Sequence, residues 1–578
     1  MIRPIPSSSA TPRPAGMPDF SSVVRQALAD QARHRRLDAD GLRAARETGT
    51  LPAFFGDQAP LALVQFDTPG LQEYVFRVSR PIDIRGGSSI VRDFTPPPNT
   101  SNGAGSSIYA SLSPGVTRNN FIYAGAGNGL LVVPAHKADE VRDAIEQALS
   151  DITKGELRSI AVALPVWPDD LDPAAGNPPP PGLAAALGRP VPMGRYALAR
   201  GVLQVRLARR RSESTRLRPS LVSSDDHARR CDACKINVGR PRQRPTPDEA
   251  HLCAACEARR DFAGRERRQA QEPRTFEDVV KGTGSRAMAV LYADGANFGR
   301  LFREAANPGD HHARSVMVDG AFEVARTRVE AFVRAVAGAD DGDDDLRVQT
   351  SIAGGDDLVL VVPGTLALNC AQILLKTLES AFDSQLAALG IPPGEQPPGV
   401  GLGVVVADHH FPLPLLLHYA KELMGLAKTK RLRGPNPARS AVDFMVLTSG
   451  SPLGGAIEGS RDARHTRRPY RRQEFDDFLV YVRALAEVAH EASAQVHAVR
   501  QEVLRGVEAS RSLWRYQHAR SDDERDDARG WGRFRATLGC RLADVDRLLW
   551  ESAADGSPTT RYLDAVEALA CLDAWGPR

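Results

Sequence analysis

Residues 351–364 read SIAGGDDLVLVVPG. Apolar, β-branched residues flank Gly354-Gly355-Asp356-Asp357 on both sides, and the glycines are turn formers. The stretch predicts a β-hairpin that carries two carboxylates at its turn. A carboxylate set against a core is costly unless something compensates it, so what stands opposite decides the reading. Upstream, AMAVLYAD (287–294) reads as a strand ending in Asp294. A long amphipathic helix (313–338) and an acidic loop, ADDGDDD (339–345), separate it from the hairpin. Downstream come a helix (366–389), a strand (399–407), a helix (414–431) and a strand (440–447).

The first half repeats this order. LALVQFD (61–67) is a strand ending in Asp67, followed by a helical stretch and a Gly/Pro/Ser/Asn-rich loop (95–107). FIYAGAGNGLLVVP (121–134) reads as two strands around a glycine turn, followed by a helix (138–152) and a strand (157–166). Matching hairpins in matching places predict an α+β protein with two ferredoxin-like βαββαβ units, the alternative being two unrelated α/β domains. The expected organisation is an N-terminal tail with a short helix (1–55), a first unit (56–200), an arginine-rich cysteine module (201–282), a second unit (283–450) and a C-terminal helical region (451–578). A proline-rich stretch (167–182) marks a loop or boundary.

In the second unit the expected strand order sets the Asp294 strand beside the acidic hairpin. Strand alternation favours Asp356 over Asp357 as the partner of Asp294. Convergent carboxylates repel unless a cation lies between them, and an oxygen-only donor set suits Mg²⁺ or Mn²⁺. Gly354 and Gly355 would let a triphosphate approach the backbone closely. The chemistry this suggests is two-metal phosphoryl transfer. The alternative is an ordinary surface turn, where Gly-Asp pairs are common.

The chain has 578 residues, 42% apolar and 25% charged, with a formal net charge of +3. No apolar run reaches membrane-span length and no signal core opens the chain, so a cytoplasmic protein is expected. Cys231-x-x-Cys234 and Cys253-x-x-Cys256 enclose 18 residues, the spacing of a four-cysteine zinc ribbon. Such a site is closed and would be structural. His227 and His251 lie near enough to serve as substitute ligands. Arginines crowd this module (Arg209, Arg210, Arg211, Arg216, Arg218, Arg240, Arg242, Arg244) and recur from Arg461 to Arg472. They fit contact with RNA phosphates or an acidic partner, and equally a solvated basic face.

These segments resemble the polymerase-cyclase large subunit of type III CRISPR effector complexes. The resemblance rests on residues 66–91 and 121–134, on the paired CxxC segment, and on LYADGANFGRLF (291–302), the acidic hairpin and residues 401–430. It implies two palm domains facing each other, ATP between them, and synthesis of cyclic oligoadenylates, with guide or target RNA and small effector subunits as partners. Asp294, Asp356 and Asp357 match the family's metal-binding positions, and Gly354 and Gly355 its hairpin glycines. Lys428 matches a phosphate-contacting lysine, its alternative being a solvated helix lysine. Gly125, Ala126, Gly127 and Asn128 form a hairpin without carboxylates, which would hold an acceptor nucleotide or be structural only. Asp67 is then a lone acid, with helix capping as its ordinary role. Where the family often has Asp-x-Asp, this chain has Asp294-Gly295-Ala296, one acid fewer. No His-Asp dipeptide occurs, so the family's HD nuclease and its DNA cleavage are not expected. Two other functions stay open on the residues alone: a non-catalytic nucleotide- or RNA-binding scaffold, and a GGDEF-like cyclic dinucleotide synthase.

Overall fold

The computed structural model describes residues 61–78, 80–95, 116, 120–171, 195–214, 229–246, 249–270, 273, 275–337, 347–391, 397–432, 437–447, 457–461, 465–520, 530–553 and 556–571. The N-terminal tail and its short helix, the loop 96–107, the proline-rich 172–182, the acidic loop, His227, Arg216 and Arg218 lie outside these residues, as do the side chains of Arg242 and Arg244. The chain divides into two compact units. One comprises residues 1–71, 91–220 and 300–317, the other 72–90, 221–299 and 318–578.

The first unit is built on four antiparallel strands: β1 (Leu61–Asp67), β2 (Phe121–Gly125), β3 (Asn128–Pro134) and β4 (Ile160–Val166). Their order is β2-β3-β1-β4. The near-continuous apolar runs of β1 and β3 put both in the middle, where both faces are covered. Helix α1 (Ala138–Ile152) crosses back between β3 and β4, and α2 (Arg195–Ser214) packs against β4. Leu63, Leu130, Leu164, Tyr196 and Leu203 share the resulting core.

In the second unit the cysteine module follows residues 72–90: the hairpin β5 (Arg240–Thr246) and β6 (Glu249–Leu252), then α3 (Ala254–Ala270). A short helix, α4 (Phe276–Val280), leads to a six-stranded sheet. Its strands are β7 (Ala287–Ala296), β8 (Gln349–Gly354), β9 (Asp357–Pro363), β10 (Gly399–Asp408), β11 (Ala441–Val446) and β12 (Tyr470–Arg471). The order is β12-β11-β10-β7-β9-β8, and only β10 and β11 run parallel. Between β7 and β8 runs α5 (Pro308–Ala337), whose residues from Val318 on belong to this unit; α6 (Ala367–Ala388) joins β9 to β10. Helix α7 (Leu413–Ala427) lies directly on β10 because the strand's glycines leave room. A Cβ on Gly403 would stand 1.9 Å from the Ala420 carbonyl oxygen.

Both sheets therefore carry the order fourth-first-third-second of a βαββαβ unit, within the α+β class expected. After β12 the chain is mainly helical, starting with α8 (Arg472–Arg505). The later arginines are used inside this unit. Arg461 binds Asp443 through both carboxylate oxygens at 2.8 and 2.9 Å, and Arg468 pairs with Asp564 and Glu567, each at 2.9 Å. Arg472 reaches Glu379 at 2.7 Å. Asp443 and Asp564 are buried and Glu567 and Glu379 partly so, and these three arginines are held by them. No described helix is long and apolar enough to cross a membrane.

Candidate active site

The acidic hairpin turns in two residues. β8 ends at Gly354, β9 starts at Asp357, and these two form the closing pair, leaving Gly355 and Asp356 as the loop. Gly355 has φ +62°, the sign that a tight hairpin asks of its first loop residue. Among the described residues beyond its chain neighbours, no atom lies within 4 Å of where its Cβ would be, so the turn is open there.

Strand β7 delivers the third carboxylate. Asp294 stands directly opposite Asp357 on one side and Gly401 of β10 on the other. The next residue pins the turn in place: the Gly295 N–H donates to the Asp356 carbonyl oxygen at 2.9 Å. A Cβ at Gly295 would lie 2.0 Å from the Phe298 ring and 2.8 Å from the Asp356 Cβ. Thus Asp357 is the cross-strand partner of Asp294, while Asp356 meets β7 through its main chain. The short turn explains this, because it makes Asp357 the first paired residue of β9.

Lys428 closes the group. At this residue α7 gives way to a single π-helical turn, Lys428–Leu432, a form that recurs at functional sites. The ammonium lies 2.6 Å from the Asp294 carboxylate and donates to the Gly295 carbonyl oxygen at 2.7 Å. Its side chain is only 17% exposed, so it is not a solvated lysine. Its route passes over Gly401, where a Cβ would stand 2.5 Å from the Lys428 Cγ.

Burial and mutual repulsion raise Asp357 and Asp356. Asp357 is pushed up to about 7 by burial, then by Asp294 and Asp356, with Lys428 and Lys421 opposing. Asp356 is raised by burial and Asp294. A fourth carboxyl, missed in the sequence, belongs to the group: Asp319 of α5, within hydrogen-bond reach of the Gly355 N–H. Burial, with Asp356 adding to it, raises Asp319 to about 7. Its signal was faint, one acid in the apolar run MVDGAF. Tyr292, raised by burial and by Asp357 and Asp294, takes a hydrogen bond from the Gln72 amide. The Gln72 carbonyl oxygen in turn accepts from Lys421 at 2.8 Å. Ala296 sits instead with Ala427, Leu432 and Ala441 in an apolar cluster, a place that does not suit an acid.

The hairpin of the first unit carries no carboxylate. Gly125 and Asn128 close it, and Ala126 (φ +47°) and Gly127 (φ +78°) form its loop. Both backbone groups of Gly127 are taken: Thr68 Oγ1 donates to its carbonyl at 2.6 Å, and its N–H donates to Thr95 Oγ1 at 3.2 Å. Asp67 is paired with Arg211. Arg210 pairs with Glu146 at 2.7 Å and Arg209 with Glu213 at 3.2 Å.

Cys231, Cys234, Cys253 and Cys256 are buried together, with their sulfurs all within 4.8 Å of one another. Cys231 N–H donates to Asn237 O at 2.8 Å, closing the first turn, and Asp232 N–H donates to His251 O at 2.9 Å, tying it to the second. Hydrogen bonds from the other three thiols pull Cys231 below the ordinary thiol value. This set could hold a metal ion. His251 is not one of the four.

An antiparallel βαββαβ sheet with acids at the end of its first strand and at its hairpin turn has the form of a palm domain. Residues 287–435 match the family model described as Cas10/Cmr2, second palm domain. No curated protein matches the sequence. Among solved structures, the Csm1-Csm4 cassette in complex with cA4 aligns at TM-score 0.52 and 14% identity, covering 89% of this chain and 70% of that one. The same cassette with one ATP aligns at 0.51 and 15%, with the same coverage. Csm1 from T. onnurineus aligns at 0.50 and 16%, again over 89% and 70%. The chain is thus similar to a Cas10-type large subunit, the resemblance its sequence carried.

Proposed function

We propose that this chain is a nucleotidyltransferase that joins ATP into cyclic oligoadenylates, as a large subunit of type III CRISPR defence. The observation that carries the proposal is the meeting of Asp294, Asp357 and Asp356 at one sheet end, with Lys428 as counter-charge. Carboxyls raised by burial and by each other ask for a cation, and oxygen donors fit Mg²⁺ or Mn²⁺. An ion held by these three aspartates would help ionise a ribose 3′-hydroxyl and offset the triphosphate's charge.

The chain's own groups do the rest. Lys428 offsets Asp294 in the free protein and turns to phosphate oxygens when nucleotide arrives. Gly354 and Gly355 keep the turn low, so a triphosphate reaches the backbone without meeting a Cβ. Gly127 is structural, since both its backbone groups are engaged, which leaves Gly125 and Asn128 as the turn positions for an acceptor nucleotide. The four cysteines hold one structural Zn²⁺ in a ribbon-like module, for their donor set and spacing suit a closed tetrahedral site. Because solved relatives are Csm1-Csm4 cassettes, one bound to cA4, the partners we infer are a Csm4-like subunit, with guide or target RNA as activator.

The test is incubation of the full chain with each labelled NTP and Mg²⁺ or Mn²⁺, with and without RNA, beside Asp356→Ala. Cyclic products from ATP that vanish in the folded variant are expected. No product under any condition would favour a scaffold, a reading that gains from the missing acid at Ala296. Turnover of GTP alone would favour a dinucleotide cyclase, and full synthesis by Asp356→Ala would return the hairpin to an ordinary turn.

A further inference from the structure

At the other end of the six-stranded sheet, away from the carboxylates, a second cluster of metal-type ligands gathers. β10 leaves the sheet at Asp408 and turns at once, so two successive imidazoles lie on one side. The His409 and His410 rings are 4.0 Å apart, centre to centre. Glu277, in the first turn of α4, faces them. One ligand atom from each of Glu277, His409 and His410 falls within 4.8 Å of the others.

The hydrogen bonds around the cluster orient it outward. His409 Nδ1 lies 3.0 Å from the Arg286 carbonyl oxygen, an acceptor only, so this nitrogen carries the proton. That leaves Nε2 with its lone pair free, and Glu277 Oε1 lies 4.0 Å from it. The gap is too long for a hydrogen bond. It is close to the span of two ligands sharing one ion at about 2.0–2.2 Å each. A ring N–H donated to a backbone carbonyl is the usual support of a metal-bound histidine. His410 has its own support: Nδ1 lies 3.0 Å from Asp408 Oδ1, and the His410 N–H donates to the same oxygen at 2.9 Å. Arg286 also faces this nitrogen at 3.0 Å and pairs with Asp408 at 3.3 Å. Its charge is matched by Asp408 on the Nδ1 side of the His410 ring. His409 is held, only 8% exposed in its side chain, while Glu277 at 73% is free to close the last fraction of an ångström.

We propose that Glu277, His409 and His410 form a second metal site, for a borderline divalent ion of the Zn²⁺ class, with water at the fourth position. Two imidazoles and one carboxylate are a donor set for such an ion, not for Mg²⁺ or Ca²⁺. The ion ties the first turn of α4, just after the cysteine module in the chain, to the exit of β10. The site is independent of nucleotide transfer.

Co²⁺ tests it, added to the untagged full chain after a mild chelator has stripped every metal except zinc held by the four cysteines. One equivalent should bind with visible d–d absorption and without the near-ultraviolet band of a cobalt–thiolate bond. Glu277→Gln and His410→Ala, both at exposed positions, should abolish that uptake while circular dichroism and nucleotide transfer stay unchanged. Asp408→Asn, which removes the carboxylate behind His410, should weaken uptake roughly 10–100-fold. No uptake, uptake only at millimolar metal, a thiolate band, or equal uptake by both exposed-site variants would each overturn the assignment.

Discussion

The turns at Ala126-Gly127 and Gly355-Asp356 join equivalent strands of the two sheets, and each takes two residues. The first is closed by its own surroundings. A Cβ on Gly127 would lie 2.5 Å from Leu71 Cδ1, and two threonines occupy its backbone. The second is open above Gly355 and crowded below, where Gly295, Asp356 and Lys428 meet. A packed turn stabilises its unit, and its Gly127 has no backbone group left to offer a ligand. An open turn backed by repelling carboxylates costs stability, and it is here that the proposed function puts a cation and phosphates. The difference is chemical, since the frames are alike.

The contrast is most exposed at Lys428. If the ammonium serves the open turn, Lys428→Met should cut nucleotide transfer by roughly a hundredfold, the scale seen when one charge-stabilising donor is lost. Initial rates with ATP measure it, and an unchanged rate would reduce Lys428 to a counter-ion.

Next comes stability. Gly127→Ala combines left-handed strain of about 1–2 kcal/mol with overpacking of about 1–3 kcal/mol. Gly355→Ala should cost only the strain, about 1–2 kcal/mol. Calorimetry of the two variants compares them, and equal losses would erase the distinction between a closed turn and an open one.

The smallest effect is in pH. Asp357 rises from 3.8 to about 7 in the folded chain. Between those values the native state holds a proton that the unfolded chain has released, so metal-free protein loses stability as pH rises through this window. Asp357→Asn should therefore stabilise the chain in chelator at pH 8 and have little effect at pH 4. Urea midpoints at the two pH values are the measurement, and a gain equal at both would mean that Asp357 is not raised.

Much of this was legible in order along the chain. The apolar run broken by Gly-Gly-Asp-Asp marks a hairpin, and an acid at the end of Leu-Tyr-Ala-Asp marks the strand beside it, because strand and turn preferences act over a few residues. The paired CxxC turns announced their meeting for the same reason. Other features depend on distant partners. The pairing of Asp294 with Asp357 rather than Asp356 follows from turn length and register. Lys428 reaches Asp294 only because Gly401 is bare and the helix widens by one π turn. Asp319 joins the group from a helix that reads as uniformly amphipathic. Arg461, Arg468 and Arg472 fitted phosphate contact and a solvated face equally until Asp443, Asp564, Glu567 and Glu379 came in from elsewhere in the chain. By itself the sequence determined the α+β class, the two glycine hairpins and the residue types of both ligand sets. Only the tertiary structure decided which acids face each other and which charges are already spent, because burial and Coulomb energies depend on distances between residues far apart in the chain.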